Sequence, residues 1–528
     1  MDKLLINGKI IDGTGSPWFR GWLALADGQI QKIGRDDPPT QTDAEVLDVN
    51  GAVICPGFID THSHSDLRLF TDPELSPKIR QGVTTEVLGQ DGFSAAPMYR
   101  NEDIEHWKTH LSGLNGRIDQ EWAWGSTVEY IDAIEEREIS SNVATLVGHG
   151  TVRFNVLGMD DDDPTDEQLH QMADLVTEAL SEGAIGFSTG LIYSPQAQAS
   201  TKEVRLLASR LTPFGRPFVA HIRNESSEIW KALEEFIRIG ETESIPIHLS
   251  HFKLAFPPQH RKAHRAIGIL ESARERQVDI TADQYPYTAG STTLTEVLPS
   301  WVHNGGPKAT LGALQDTDDR NRIRQHIEHR SERWQDVIVT SVASTENKNL
   351  EGNTIKDIAD ERGVSPATAI MDLLIEEELE VSKVTHMLHE EDVREILAYP
   401  GCCIATDGLF GGKPHPRTFG TYPRVLGHYV RDESLLRLEE AIRMMTSLPA
   451  RAMGFRRKGI IRSGMDADLA VFNPAAISSN ATYEKPRQYP DGISHVFVNG
   501  EYVVQDGSIT GKRPGEVIRG QSGANKRL

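Results

Sequence analysis

Cysteine is scarce in this chain: three in 528 residues, at Cys55, Cys402 and Cys403. An odd, sparse set argues against a disulfide framework and predicts a reducing, cytoplasmic compartment. Long apolar runs are missing too. No stretch of 18 or more apolar residues occurs, so no membrane span is predicted. The opening MDKLLINGKI lacks the apolar core and the cleavage site of a signal peptide. Positive charge is in deficit: 55 Lys and Arg stand against 77 Asp and Glu, a formal net charge of −22. That balance disfavours nucleic acid as a partner and otherwise speaks only to solubility. Internal repeats and low-complexity segments are absent.

What is present is a β-rich start, a β-rich end and an alternating middle. Residues 1–56 read as short strands with Asn-Gly and Asp-Gly turn signals, and residues 459–528 return to that style in ADLAVFN (467–473) and HVFVNGEYVVQDGSI (495–509). The two ends predict one small β-sandwich domain. Between them, eight apolar runs alternate with helical stretches: 57–64, 84–91, 143–149, 184–190, 217–223, 246–252, 278–285 and 402–408. Helices are expected over Thr165–Glu182, Glu225–Ile239 and Ala263–Arg276. Eight such units predict an α/β fold, a (β/α)₈ TIM-type barrel over 57–458. The gap before the last strand is too long for a loop, so 288–400 is expected to be an inserted subdomain with helices near 354–379. The tail GANKRL is expected to fray.

In such a barrel, reactive groups gather at the C-terminal ends of the strands. Strand one ends in His62-Ser63-His64, strand two in Gln90-Asp91 and strand three in His149. Strand five carries His221 and Arg223, strand six His251 and Lys253, and strand eight Thr406-Asp407. His62 and His64 are two apart on a strand, so both imidazoles share the interior face. Neutral imidazoles with a carboxylate make a zinc site. Alone, the pair is a weak signal that reads more readily as ordinary polar residues near a loop; following Pro56-Gly57-Phe58-Ile59-Asp60 it becomes much stronger.

PGFIDTHSHSD resembles the metal-binding start of the amidohydrolase superfamily. Other stretches resemble one branch, the D-aminoacylases. They include GVTTEVLGQDGFSAAP (82–97), GAIGFSTGLIYSP (183–195), AHIRNES (220–226), LSHFK (249–253), ATDG (405–408) and GKPHPRTFGTYPRVLGHYVR (412–431), spanning nearly the whole chain in order. The resemblance implies a hydrolase that cleaves the amide of N-acyl-D-amino acids. It implies a tightly held zinc on His221 and His251, His62 and His64 lining a second, weaker divalent-metal position, and Asp407 as catalytic acid/base. The sequence departs from the branch where an Asn-Cys-Gly is usual and Gln90-Asp91-Gly92 stands instead. A carboxylate can replace a thiolate as ligand, but it is harder, so manganese or cobalt would compete better. Asp91 as a mere turn cap stays open. The lysine that bridges two metals in many superfamily members is absent from AIGFSTG.

The substrate's α-carboxylate needs a partner. Lys253 and Tyr193, at positions resembling substrate contacts of the branch, rank above Arg223, which could instead pair with Glu225 or another acid. Tyr285 and Tyr287 are further candidates, and His415 and Arg417 could line the mouth. Two alternatives remain: another amide hydrolysis, hydantoinase- or dihydroorotase-like, and a non-catalytic scaffold. The expected partner is a small molecule, with neither nucleic acid nor membrane, and a homo-oligomer is left open.

Overall fold

The computed structural model describes residues 1–40, 42–100, 104–115, 122–160 and 163–520. The tail expected to fray lies outside the described residues. The chain opens with β1 (Lys3–Ile10), β2 (Phe19–Ala26), β3 (Gln29–Gly34), β4 (Glu45–Asp48) and β5 (Val53–Pro56). β1 runs parallel to β4 along Lys3–Ile6, then parallel to β5 along Lys9–Ile10. The change of partner falls at Asn7-Gly8, which reads as a hairpin turn in sequence. It is instead a bulge inside β1, with Asn7 at φ 60° and a register shift against β2. An Asn-Gly pair supplies the positive φ for either device, so the dipeptide alone does not choose between them.

Eight parallel strands follow: β6 (Phe58–Asp60), β7 (Val83–Leu88), β8 with β9 (Asn142–Thr145, Val147–Gly148), β10 (Phe187–Gly190), β11 (Phe218–His221), β12 (Ile247–Leu249), β13 (Ile280–Gln284) and, after an insertion, the last strand. Their residues are buried throughout, as expected for strands covered on both faces. β6, β7 and β8 pair in order, and β9 to β13 continue to the last strand. A parallel bridge from Ser63 to Gly408 joins the first strand's end to the last one's, closing the barrel. The surrounding helices start where their caps dictate. Thr165 and Gln168 form a reciprocal capping box ahead of Asp166–Glu182. The helix expected from Glu225 begins only at Ile229, because the Asn224 side chain accepts from the amides of Ser226 and Glu228 and holds 224–228 as a loop. That delay leaves Glu225 free to face the barrel mouth.

The insertion holds β14 (Ala289–Thr293), β15 (Val337–Ser341) and β16 (Ser382–His386), an antiparallel sheet in the order β14-β16-β15. Helices Gly306–Gln315, Thr317–Glu328, Ile355–Arg362 and Pro366–Glu376 cover it around a core of their own. Glu390–Leu397 packs instead in the barrel core, ahead of the last barrel strand, β17 (Cys402–Ile404). β18 (Leu469–Phe472), β19 (Ile493–Val498), β20 (Glu501–Gln505) and β21 (Ser508–Ile509) then extend the terminal sheet to nine strands, β18 pairing with β5. Leu5, Leu23 and Ile54 from the start share one core with Leu469, Val471 and Phe497 from the end. No described helix is long and apolar enough to cross a membrane.

Candidate metal centre and active site

Four histidines converge on one carboxylate at the C-terminal mouth of the barrel. Asp91 Oδ1 lies 3.5 Å from His251 Nε2 and 3.8 Å from His221 Nδ1. Its other oxygen, Oδ2, lies 3.5 Å from His62 Nε2 and 3.6 Å from His64 Nε2. Asp407 Oδ1 completes the ring, 3.4 Å from His64 Nε2 and 3.8 Å from His62 Nε2. Ligands about 2.0–2.1 Å from a tetrahedral zinc stand about 3.3–3.4 Å from one another, so these spacings are those of a ligand set.

The backbone that delivers these groups is unusual. Asp91, His251 and Asp407 all have left-handed φ, at 54°, 35° and 48°. Each such residue costs about 1–3 kcal/mol and persists only where its surroundings hold it. Here each has a restraint. The Gln196 side chain donates to Asp91 O (2.8 Å), His251 N donates to Asp283 Oδ1 (2.6 Å), and Asp407 N donates to His62 O (2.9 Å). Asp283 also receives Thr61 Oγ1 and pairs with His248 Nε2, both at 2.8 Å. Beneath the first strand, the fully buried Lys78 donates to Asp60 Oδ2 (2.6 Å), Thr406 Oγ1 (2.7 Å) and Ser63 Oγ (3.0 Å). One ammonium thus ties the first barrel strand to the last.

The donor set fits a divalent cation. Both ring nitrogens of His62 and of His221, together with Asp91 Oδ1, are buried without a hydrogen-bond partner. Buried polar atoms are ordinarily satisfied, so such a cluster calls for an occupant. The electrostatics agree. Burial alone would raise the Asp91 carboxyl, yet His62 and His251 reverse this and hold it well below the usual carboxylate range. Burial and the Lys253 ammonium push the His251 imidazole down, but Glu225 and Asp91 outweigh them and carry it up to about 10. The carboxylates hold a place for positive charge.

Glu225 is the site residue that the sequence reading missed. Its carboxylate stands 3.0 Å from His251 Nδ1 and 3.5 Å from His221 Nε2, the ring nitrogens turned away from Asp91, and 2.7 Å from Lys253 Nζ. A carboxylate behind a ligating histidine fixes its tautomer and orientation. The available signal was an acid four residues beyond His221, in the loop after a barrel strand.

Among the substrate-contact candidates, Lys253, Tyr193 and Tyr285 line a cavity of ≈ 320 Å³ together with His64, Asp91, His221, His251 and Asp407. Tyr193 Oη is 2.9 Å from Thr292 Oγ1, and Tyr285 Oη is buried and unpartnered. Arg223 is a correction. It does not line the cavity; its Nε and Nη2 each reach Glu235 at 3.0 Å, and it donates to the carbonyls of Ala197 and Ala199. Its acid lies on the following helix, twelve residues away in a loop-and-helix contact that spacing does not reveal. Arg417, unlike Arg223, lines the cavity. It is fully buried, its Nη2 stands 2.9 Å from Asp407 Oδ1 as an ion pair and donates to Ser291 O at 3.1 Å, its guanidinium stacks 4.4 Å over Tyr285, and Nε and Nη1 are without partners. His415 is bonded to Ala289 O and lies off the cavity, and Tyr287 does not line it. His149 pairs with Glu203 at 2.7 Å in a buried cluster with Arg153. Cys402 and Cys403 are buried in β17, and burial pushes both thiols up.

An amidohydrolase family model matches residues 45–504. The D-aminoacylase of Alcaligenes xylosoxydans xylosoxydans is 35% identical over 98% of this chain and 97% of its own length. The N-acyl-D-aspartate deacylase of the same organism is 32% identical over 98% of this chain and 95% of its own. The crystal structure of N-acyl-D-glutamate deacylase from Bordetella bronchiseptica, complexed with zinc and a phosphonate mimic of the tetrahedral intermediate, superposes with a TM-score of 0.85 at 32% identity. It covers 98% of this chain and 99% of that one.

Proposed function

This chain belongs to the amidohydrolase family, in its D-aminoacylase branch, and from that premise we propose that it hydrolyses the amide of N-acyl-D-amino acids, releasing a carboxylic acid and a D-amino acid. The observation that carries the reading is the convergence of four histidines and two aspartates beside a buried arginine with two unused N–H groups. An N-acyl amino acid brings an amide to the first and a carboxylate to the second.

His221, His251 and Asp91 would hold a zinc ion, with His62 and His64 around Asp91 Oδ2 as a second, weaker position. When bound, zinc supplies a Lewis acid for the amide carbonyl and lowers the pKa of water towards ~7. The chain's residues do the rest. Arg417 takes the α-carboxylate through a charge-assisted hydrogen bond from an N–H that has no partner within the protein. Tyr285 offers its unpartnered hydroxyl to the same end of the substrate, and Lys253 and Tyr193 line the same cavity.

Asp407 moves the proton, accepting it as water attacks and giving it to the departing nitrogen, since an amine leaves poorly until protonated. Burial would raise its carboxyl, but Arg417 and His62 overturn that and keep it ionised, the state a base requires. The D configuration rests on the relatives. Three buried free thiols support a reducing, cytoplasmic setting.

The test is elemental analysis of the purified protein together with hydrolysis of N-acetyl-D- and N-acetyl-L-amino acids. Bound zinc with turnover of D substrates alone is the expected result. Bound metal without turnover of either series would move the function to a different amide.

A further inference from the structure

Resting on the deacylase reading, the next question is which side chain the substrate carries. Two of the relatives above are deacylases of acidic substrates, N-acyl-D-aspartate and N-acyl-D-glutamate. To bind a second carboxylate in a buried cavity, a protein needs a cation that is not already neutralised.

The cavity wall contributed by the insertion carries two cations, Arg330 and Lys383. One carboxylate engages both. Glu296 Oε1 is 2.7 Å from Arg330 Nη2, and its Oε2 is 3.1 Å from Lys383 Nζ. Arg330 is held further by Glu332, whose Oε1 accepts from Nε at 2.9 Å, and by the carbonyl of Glu296, 3.3 Å from Nη1. Lys383 also donates to Thr385 Oγ1 at 3.2 Å. The Glu296 side chain is 18% exposed and that of Lys383 5%, so this is no solvated rim pair. Two cations thus face two carboxylates, and the wall offers a further anion no net charge. The cavity's other cations are committed: Lys253 lies on Glu225, and the open N–H groups of Arg417 serve the α-carboxylate.

Beyond Glu296, a recess of ≈ 60 Å³ continues past Phe93, Leu114, Ile192 and Leu298 to His110 and His303. Burial pushes both imidazoles down to about 4, so they are neutral at pH 7. An apolar group fits this surface. An acidic one would either displace Glu296, leaving it buried and unpaired, or lie against it as a like charge.

We propose that the enzyme takes N-acyl amino acids with uncharged side chains, and that Glu296 is the specificity-determining residue that excludes acidic ones by neutralising Arg330 and Lys383. The experiment compares kcat/KM for N-acetyl-D-leucine, N-acetyl-D-glutamate and N-acetyl-D-aspartate in the zinc-loaded wild type and in Glu296→Gln. The wild type should favour leucine by about 100-fold or more, the penalty of an uncompensated buried charge. Glu296→Gln should narrow that ratio by about 10-fold, mainly through a lower KM for the acidic substrates. Lys383→Gln, which removes a cation and leaves the glutamate, should widen it. A wild type that prefers glutamate or aspartate overturns the proposal, even if Glu296→Gln does not fold. So does a folded Glu296→Gln whose ratio stays within about twofold of wild type. Absence of turnover across all three substrates would instead remove the deacylase reading, and this inference with it.

Discussion

Asp407 Oδ1 lies 2.9 Å from Arg417 Nη2 and 3.4 Å from His64 Nε2, so a single oxygen faces both the guanidinium proposed for the substrate and a histidine of the metal centre. The group proposed to move the proton is thereby held by the group proposed to hold the substrate. Asp407→Asn keeps the shape and removes the proton acceptor. Turnover should fall by about 10³-fold or more, with zinc content unchanged. Steady-state kinetics and elemental analysis on the same sample read both; retained activity would remove the assigned role.

Arg417→Met separates binding from chemistry. KM for N-acyl-D-amino acids should rise about 100-fold, the loss of a charge-assisted pair. An N-acyl amine without the carboxylate should be hydrolysed equally poorly by both proteins. Removing a cation also raises the Asp407 carboxyl, whose ionised form is the active one. The acid limb of kcat/KM should therefore shift to higher pH in the variant, and an unmoved limb would uncouple the two residues.

Asp91 faces all four histidines, so Asp91→Ala should lose zinc as well as activity. Asp91→Cys should hold zinc more tightly than wild type, because a thiolate suits the metal better than a carboxylate does. Competition with a chromogenic chelator orders the three proteins; equal zinc retention in Asp91→Ala would reduce Asp91 to a turn residue.

Glu225→Gln should weaken zinc about 10–100-fold by loosening His221 and His251 while leaving both ligands in place. The readout is the rate of zinc release to chelator, with the cobalt-substituted spectrum reporting the geometry. Wild-type release in a folded variant would show that the two rings need no carboxylate behind them.

Away from the site, Glu203 is buried between His149 and Arg153. Burial works against its charge, but His149 and Arg153 hold its carboxyl below the usual range. A depressed folded-state pKa contributes stability that is present above the unfolded carboxyl's pKa and lost as pH falls through the folded value. Glu203→Gln should cost about 3–5 kcal/mol near neutrality, since it removes one partner of a buried ion pair. The difference from wild type should shrink as pH falls below the carboxylate range. A difference that does not change with pH would assign the effect to packing.

Much of the barrel was legible because its code is local. Eight apolar runs with polar residues at their ends carry the period of a buried parallel strand, and His62 with His64 carry the period of two that places both rings inside. The Asn7-Gly8 dipeptide shows the limit. It specifies a positive φ but not whether the chain turns back or bulges, and only the change of partner from β4 to β5 settles that. The Glu225 segment was read as helix because its composition allows one, and the Asn224 side chain competes for the same amides.

The sequence by itself determined the histidine and aspartate residues at the barrel mouth and their places at strand ends. Each of these is a property of one residue and its near neighbours. Tertiary structure alone decided the pairings: Arg223 with Glu235 rather than the substrate, Arg417 with Asp407, Glu225 behind two histidines, and Glu296 between Arg330 and Lys383. The physical reason is that a charged side chain's role depends on which opposite charge reaches it first, and that is set by how strands far apart in sequence are brought together.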